Sequence, residues 1–532
     1  MTARVWLPAW RGRPAWIDGL VAVVVVLAIW HLLAMTVLAA SRVVPAPMDI
    51  ASQLWLDRHS YPSNVTATLR VAVIGYILGN VIAILLGVLC DLVPSVEVPV
   101  LRLAIACFNI PLVAIAPILI VVLPGDGPKI ALAALAVFFT TLIATGLGLR
   151  GADPTSLDVV RASGGSTWTS LRKVKLWAAL PSILGGLRVA APAALLGAII
   201  GEYLGAQRGL GAAMIQAQSS FAVARTWGIA LVVAALAGSL YLGATALAHV
   251  LTPWAGRVEI GLGGVPEGRR PGGRWRQFAR SAAFLAVSIG LLAAVWYGLI
   301  RVFDLNPFFA KDPDDVYRYL VAGTEAAEHR RVLLDALGRT VSDAVGGYLV
   351  GTLAATAVAI TVVLSRGIEQ AVMPVAITLR SVPLVAMTPL IALIFGRGYL
   401  GVTAVVSIVV FFPTLVNVAV GLRSAPALAC DLIRASGGTA LMVMRKVRLP
   451  YALPAFFASA RIAAPAAIGG ATLAEWLATG KGLGNVLVIS FSASDFNTLW
   501  SGAVLIVAVS VGLYGLIGMI EGLVLARMMG DG

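Results

Sequence analysis

Of the 532 residues, 59% are apolar and 12% charged, and the mean hydropathy is +0.93. Soluble domains sit near about 45–50% apolar and about 25% charged, so a soluble globular protein is excluded. The net charge of +14 would suit nucleic acid only if the bases shared one solvated face with interleaved aromatics, and they are spread along the chain.

Cys90, Cys107 and Cys430 lie in or beside apolar stretches at spacings that suit neither disulfides nor a metal. His31, His59, His249 and His329 are scattered, with no His-Glu-x-x-His or paired-acid pattern near them. The chain is therefore expected to hold no cofactor of its own.

Residues 1–17, with Arg4, Arg11 and Arg13, read as a tail ahead of the first apolar run, 19–40. That run is longer than a signal-peptide core of about 7–15 residues and predicts a retained helix. Further runs follow at 71–90, 103–125, 130–149, 176–201 and 226–256. A basic, Gly-rich stretch at 257–278 reads as a flexible linker. The series then restarts at 281–300, 344–365, 371–396, 398–422, 449–474 and 496–520. Runs of about 20 apolar residues predict membrane-spanning helices. The expected fold is all-α and integral to the membrane, with about 12 spans in two halves, 18–256 and 279–532.

With both termini in the cytoplasm, the inner loops hold 22 Lys/Arg and 11 Asp/Glu, the outer loops 14 and 14, and the spans three Arg and no acid. The basic excess is then cytoplasmic, as the positive-inside rule requires, and most of the net charge becomes a topology signal. The outer stretch 301–336 is acidic, with seven Asp/Glu against five Lys/Arg; it is either a docking surface or a plain solvated loop.

The halves are repeats. Arg161 to Pro192 aligns without gaps on Arg434 to Pro465, with 16 of 32 positions identical. Gly75-Tyr-Ile-Leu-Gly79 pairs with Gly347-Tyr-Leu-Val-Gly351, Pro111-x5-Pro117 with Pro383-x5-Pro389, and Gly209-Leu-Gly211 with Gly482-Leu-Gly484. Six helices per half give both halves the same polarity, so the repeats are parallel and related by an axis along the membrane normal.

Identity concentrates in and after the inner loops 150–177 and 423–450. The first reads Asp158-Val-Val-Arg161-Ala-Ser-Gly164, nine residues, then Val174-Lys-Leu176-Trp177. The second reads Asp431-Leu-Ile-Arg434-Ala-Ser-Gly437, nine residues, then Val447-Arg-Leu449-Pro450. The pattern predicts a short amphipathic helix, a Gly turn and a second helix with a basic run that re-enters the membrane.

These loops resemble the E-A-A-x3-G-x9-I-x-L-P loop of the permease subunits of binding-protein-dependent ABC importers, with Asp for Glu, Val for Ile, and Trp177 for the final Pro in the first copy. Ala-Leu-Pro-x6-Arg-x-Ala-x-Pro, and Glu202 or Glu475 ahead of Gly-Leu-Gly, resemble the nitrate/sulfonate/taurine branch, which includes vitamin-precursor transporters. The resemblance spans nearly the whole chain, twice. It implies a type I importer permease fold, a bacterial plasma membrane location, and a coupling helix in each loop seated on a cytoplasmic ATPase. The implied partners are two ATPase subunits, which would carry ATP and Mg, and one extracytoplasmic solute-binding protein. Gly480-Lys481 lacks the spacing of a phosphate-binding loop, so the chain is not expected to hydrolyse ATP itself.

Candidate path residues also repeat. Arg188 and Arg461 sit in the fifth span of each half, where a charge costs about 2.5–3.5 kcal/mol near the bilayer centre. They either line the path or anchor an anionic solute, or else snorkel toward the cytoplasm or pair with the Asp-bearing inner loop of their half. Pro192 and Pro465 follow and kink the helix, as part of a gate or as a static bend. Glu202 and Glu475 lie near the outer mouth, as a gate, a binding-protein contact or an interfacial anchor. Asn109 and Arg380 precede the Pro-x5-Pro segments of the third span, where a helix broken at its proline would expose backbone to solute, or else they serve ordinary helix packing. The rival reading is an ion-gradient-driven transporter of six plus six helices, which would want acids inside its spans.

Overall fold

The computed structural model describes residues 44–203, 205–254, 293–365 and 384–530, with scattered positions in 24–36, 283–291 and 367–372. The tail 1–17 and linker 257–278 lie outside the described residues, as do most of the apolar run 19–40 and most of the first part of the run 281–300.

Every regular element among the described residues is helical. The first half contains α1 (Pro47–Leu56), α2 (Tyr61–Leu92), α3 (Pro94–Phe108), α4 (Leu112–Val122), α5 (Gly127–Arg150), α6 (Pro154–Ala162), α7 (Leu176–Tyr203), α8 (Leu210–Ser219) and α9 (Val223–Leu251). The second contains α10 (Ala293–Val302), α11 (Pro313–Tyr317), α12 (Ala326–Leu364), α13 (Leu384–Phe395), α14 (Tyr399–Arg423), α15 (Ala427–Ala435), α16 (Leu449–Ala474), α17 (Leu483–Ser492) and α18 (Phe496–Gly530). Eight helices among the described residues are long and apolar enough to cross a membrane, and α4, α10 and α17 are shorter apolar helices.

The third apolar run, 103–125, is two helices rather than one. Pro111 stands at the start of α4 with extended backbone, ψ 121°. A proline pushes the residue before it out of the α region, so α3 ends at Phe108 and the chain bends through Asn109-Ile110-Pro111. By contrast, α7 and α16 run on through Pro192 and Pro465.

Within each half the tightest packing is backbone on backbone. A Cβ on Gly75 would lie 2.5 Å from the Cβ of Ala133, and one on Gly79 would lie 2.5 Å from the carbonyl oxygen of Ala134, both on α5. In the second half Gly347 and Gly351 meet Val406 and Ser407 of α14 in the same way. Lipid tails remove the hydrophobic drive between membrane helices, so close approach through small residues carries the association.

The halves interlock through α4 and α13. Ala114 and Ile118 of α4 belong to the core built by α12, α14, α16 and α18, while Leu473 of α16 belongs to the core of the first half. Pro111 lies directly beside Gly469 of α16, and α13 touches α8 and α9.

Candidate functional site

The two repeated loops, 150–177 and 423–450, fold into matching elbows. α6 ends in a hydrogen-bonded glycine turn: the Gly165 N–H donates to Val160 O and the Gly164 N–H to Arg161 O, both at 2.9 Å. The second elbow repeats this with Gly438 to Ile433 and Gly437 to Arg434, again at 2.9 Å. Gly164 and Gly437 hold φ of 75° and 80°, the left-handed region that closes helices and favours glycine. Gly165 and Gly438 matter for a different reason: a Cβ on them would press within 3.0 Å of Val160 and Ile433. Motif spacing does not single out this second glycine, although the doublet repeats in both halves.

After the turn, Ser166 and Thr439 cap the next helix, accepting from the N–H groups of Thr169 and Met442. One turn on, the backbone widens into π-helix at Leu171–Lys175 and Met444–Arg448. Such segments arise from an inserted residue and gather at functional sites. They leave Arg172, Lys173, Arg445 and Lys446 exposed while Leu171 and Met444 are buried.

Val174 and Leu176 are half-buried beneath the first elbow; Val447 is buried and Leu449 and Pro450 half-buried beneath the second. Asp158 pairs with Arg161 at 3.1 Å, and Asp431 with Arg434 at 3.0 Å, on the solvent side. The exposed apolar side chains differ: Val159 and Trp168 on the first elbow, Leu428, Leu432 and Leu441 on the second.

Each elbow is tied to the bundle by an ion pair at the end of α5 or α14, Arg150 with Glu97 of α3 and Arg423 with Glu369. Among the described residues the first elbow alone adds a further pair, Lys175 with Asp91 at 2.7 Å, and a cavity of about 130 Å³ lies beside it between Leu157, Arg161, Thr167 and Lys175. Half-exposed pairs contribute little stability, about 0–1 kcal/mol, so their work is positional. Reversing Arg150 alone to Glu is expected to lower transport while the Arg150→Glu, Glu97→Arg double variant recovers it; no recovery would show that the pair does not orient the elbow.

At the opposite end of α7 and α16 the two glutamates are enclosed. Glu202 is 1% exposed; its Oε2 accepts from the Thr68 hydroxyl at 3.1 Å and the Gly211 N–H at 2.8 Å. Glu475 is also 1% exposed and accepts from the Thr340 hydroxyl and the Gly484 N–H, both at 2.9 Å. Thr68 and Thr340 in turn accept from the N–H groups of Leu210 and Leu483. Each acid thus satisfies otherwise orphaned donors at the start of α8 or α17. Thr68 and Thr340 lie 134 and 135 residues from their glutamates, and only their shared place in the repeat could have flagged them.

The remaining repeat-equivalent residues are dispersed. Asn109 is 1% exposed at the α3–α4 break, its Nδ2 donating to Ile105 O at 2.7 Å and its Oδ1 buried without a hydrogen-bond partner. Arg188 and Arg461 turn to the last helix of their own half, over the rings of Tyr241 and Tyr514 at 5.6 and 5.1 Å. Arg461 is also 3.5 Å from Glu521. Pro192 is half-buried and Pro465 buried. Arg380 lies outside the described residues.

The sequence profile of the family described as binding-protein-dependent transport system inner membrane component matches twice, at residues 79–257 and 347–529. A Haemophilus influenzae protein described as a probable ABC transporter permease is 29% identical over 227 residues, covering 42% of this chain and 90% of that protein. The riboflavin transport system permease protein RibX of Chloroflexus aurantiacus is 29% identical, covering 46% of this chain and 90% of its own length. The Bacillus subtilis protein SsuC, named for aliphatic sulfonates transport, is 29% identical, covering 39% and 76%. Each relative spans less than half of this chain.

Proposed function

Because the chain belongs, twice over, to the family of binding-protein-dependent transport system inner membrane components, we propose that it supplies by itself both halves of an ATP-driven import channel. It is a multi-pass membrane permease of the ABC importer class. In this reading each elbow is a coupling helix, seated on one of two cytoplasmic ATPase subunits, and one solute-binding protein docks on the outer face. Both termini then lie in the cytoplasm of a bacterial cell, and ATP and Mg belong to the ATPase subunits.

The observation that carries this reading is the identical construction of the two elbows: the same glycine turn, the same π-helical step and the same ion pair at the base, in halves whose exposed surfaces otherwise differ. A rigid bracket continuous with α7 or α16 converts movement of an attached subunit into tilt of the helix at the half-to-half interface. Closure of two ATPase subunits would move the halves between outward- and inward-facing states, with solute delivery and ATP binding linked reciprocally. The broken third span of the first half, with Asn109 at the bend, and the proline-bearing α7 and α16 line the proposed path. The relatives named for riboflavin and sulfonates bracket the solute class as small and polar.

Uptake into vesicles carrying this chain, its ATPase and its binding protein is expected to require internal ATP and to survive a protonophore. Uptake that collapses with the proton gradient while ATP stays intact would instead establish the ion-driven alternative.

A further inference from the structure

The fifth-span arginines occupy equivalent positions with unequal surroundings. In the second half Arg461 lies over Tyr514, runs beside Gly518 and ends 3.5 Å from Glu521. The repeat offset of 273 that carries Arg188 onto Arg461 also carries Tyr241 onto Tyr514, Thr245 onto Gly518 and Ala248 onto Glu521. The first half therefore keeps the cation and the ring and lacks the carboxylate. Among the described residues Arg188 has no ion pair, and its Nε, like that of Arg461, is buried without a hydrogen-bond partner, so the missing carboxylate is what sets the two apart.

Depth identifies where a counter-charge would come from. Arg188 lies 12 residues into α7, about 18 Å along a helix, and so near the middle of a hydrocarbon core of about 30 Å. Ala248 lies three residues before the end of α9, about one turn from the cytoplasmic headgroup level. The second half demonstrates that an arginine at this position reaches the level of Glu521. The neighbouring side chains Leu242, Leu247 and Val250 are exposed, so this stretch of α9 borders lipid. Basic sites between helices on the cytoplasmic side suit anionic headgroups.

We propose that Arg188, Tyr241, Thr245 and Ala248 form a seat for a phosphate-type oxyanion in the cytoplasmic leaflet, filled by the phosphate of an anionic lipid or by a soluble phosphate. The second half fills the same seat with its own Glu521. The fused chain thus senses or recruits such an anion on one side only.

The test uses the full-length chain in nanodiscs, with retained lipid read by native mass spectrometry. Three variants accompany the wild type: Arg188→Gln, Ala248→Glu, which supplies the missing carboxylate, and Glu521→Ala, which removes the existing one. With phosphatidylglycerol present, wild type is expected to retain an additional lipid that both Arg188→Gln and Ala248→Glu bind about tenfold more weakly, the scale of one lost charge-assisted hydrogen bond. Glu521→Ala is expected to gain a second. In phosphatidylcholine discs, thermal stabilisation by inorganic phosphate in wild type but not in Ala248→Glu would support the seat and assign its occupant as the soluble anion. Equal lipid retention and equal phosphate response in all four proteins would overturn the proposal. Because Ala248→Glu and Glu521→Ala add or remove charge near the membrane surface, the outcome does not depend on whether Arg188→Gln folds.

Discussion

Valine at both Gly164 and Gly437 is expected to abolish ATP-driven uptake while leaving the chain inserted and folded. Nothing lies within 4 Å of where a Cβ on either glycine would point, so the substitution meets no neighbour. Its cost is confined to the backbone: φ of 75° and 80° is a true outlier for a β-branched residue, at about 1–2 kcal/mol per site. That is too little to unfold the helical bundle and enough to displace the turn, because Gly164 and Gly437 are themselves exposed and nothing packs on the turn from outside. Once the turn relaxes, α6 and α15 no longer keep a set angle to α7 and α16, and a subunit seated on them would move without moving the channel. ATPase activity of the assembled complex should then continue without stimulation by solute. Normal solute-stimulated hydrolysis in the double variant would remove the elbows from the coupling route. The single variants are expected to differ, because only the first elbow has the Lys175–Asp91 pair to hold its second arm.

Alanine at Gly482, or at Gly209, should give the largest loss of stability. A Cβ there would fall 2.2 or 2.3 Å from the carboxyl carbon of Glu475 or Glu202, and φ is 83° or 131°. Either the glutamate is expelled, leaving the Gly484 or Gly211 N–H and, in the first half, the Thr68 hydroxyl buried without acceptors, or the turn into the next helix rebuilds. The expected cost is about 3 kcal/mol or more, read as a fall of roughly 5–10 °C in thermal unfolding in detergent. Glu475→Gln keeps an acceptor oxygen of the same reach and should lose much less. If Gly482→Ala unfolds like wild type, the enclosed acid is not a brace. If Glu475→Gln is stable yet transport fails, the charge of the acid serves gating in addition to packing.

Much of this architecture is legible in one dimension. Hydropathy marks the spans because lipid demands long apolar stretches, and the repeat announces itself because both elbows keep the same letters where lipid-facing positions drift. Gly164, Gly437 and the basic runs after them stand out for that reason, and so do Glu202 and Glu475. What those glutamates touch is another matter. Their threonine partners lie more than a hundred residues away, and threonine in an apolar helix carries no signal that it will meet a carboxylate.

The elbow ion pairs are hidden in the same way, since Arg150 and Glu97 are 53 residues apart and either reads alone as a solvated loop charge. The bend at Asn109–Pro111 was marked by its proline, but its place against Gly469 of the other half was not. Composition, span order and duplication belong to the sequence because each is a property of single segments meeting a uniform solvent, the bilayer. Pairings across helices, the burial of the glutamates and the unequal company of Arg188 and Arg461 were decided only by the tertiary structure, because they depend on which helix faces which, and close packing of small residues leaves that open until every neighbour is in place.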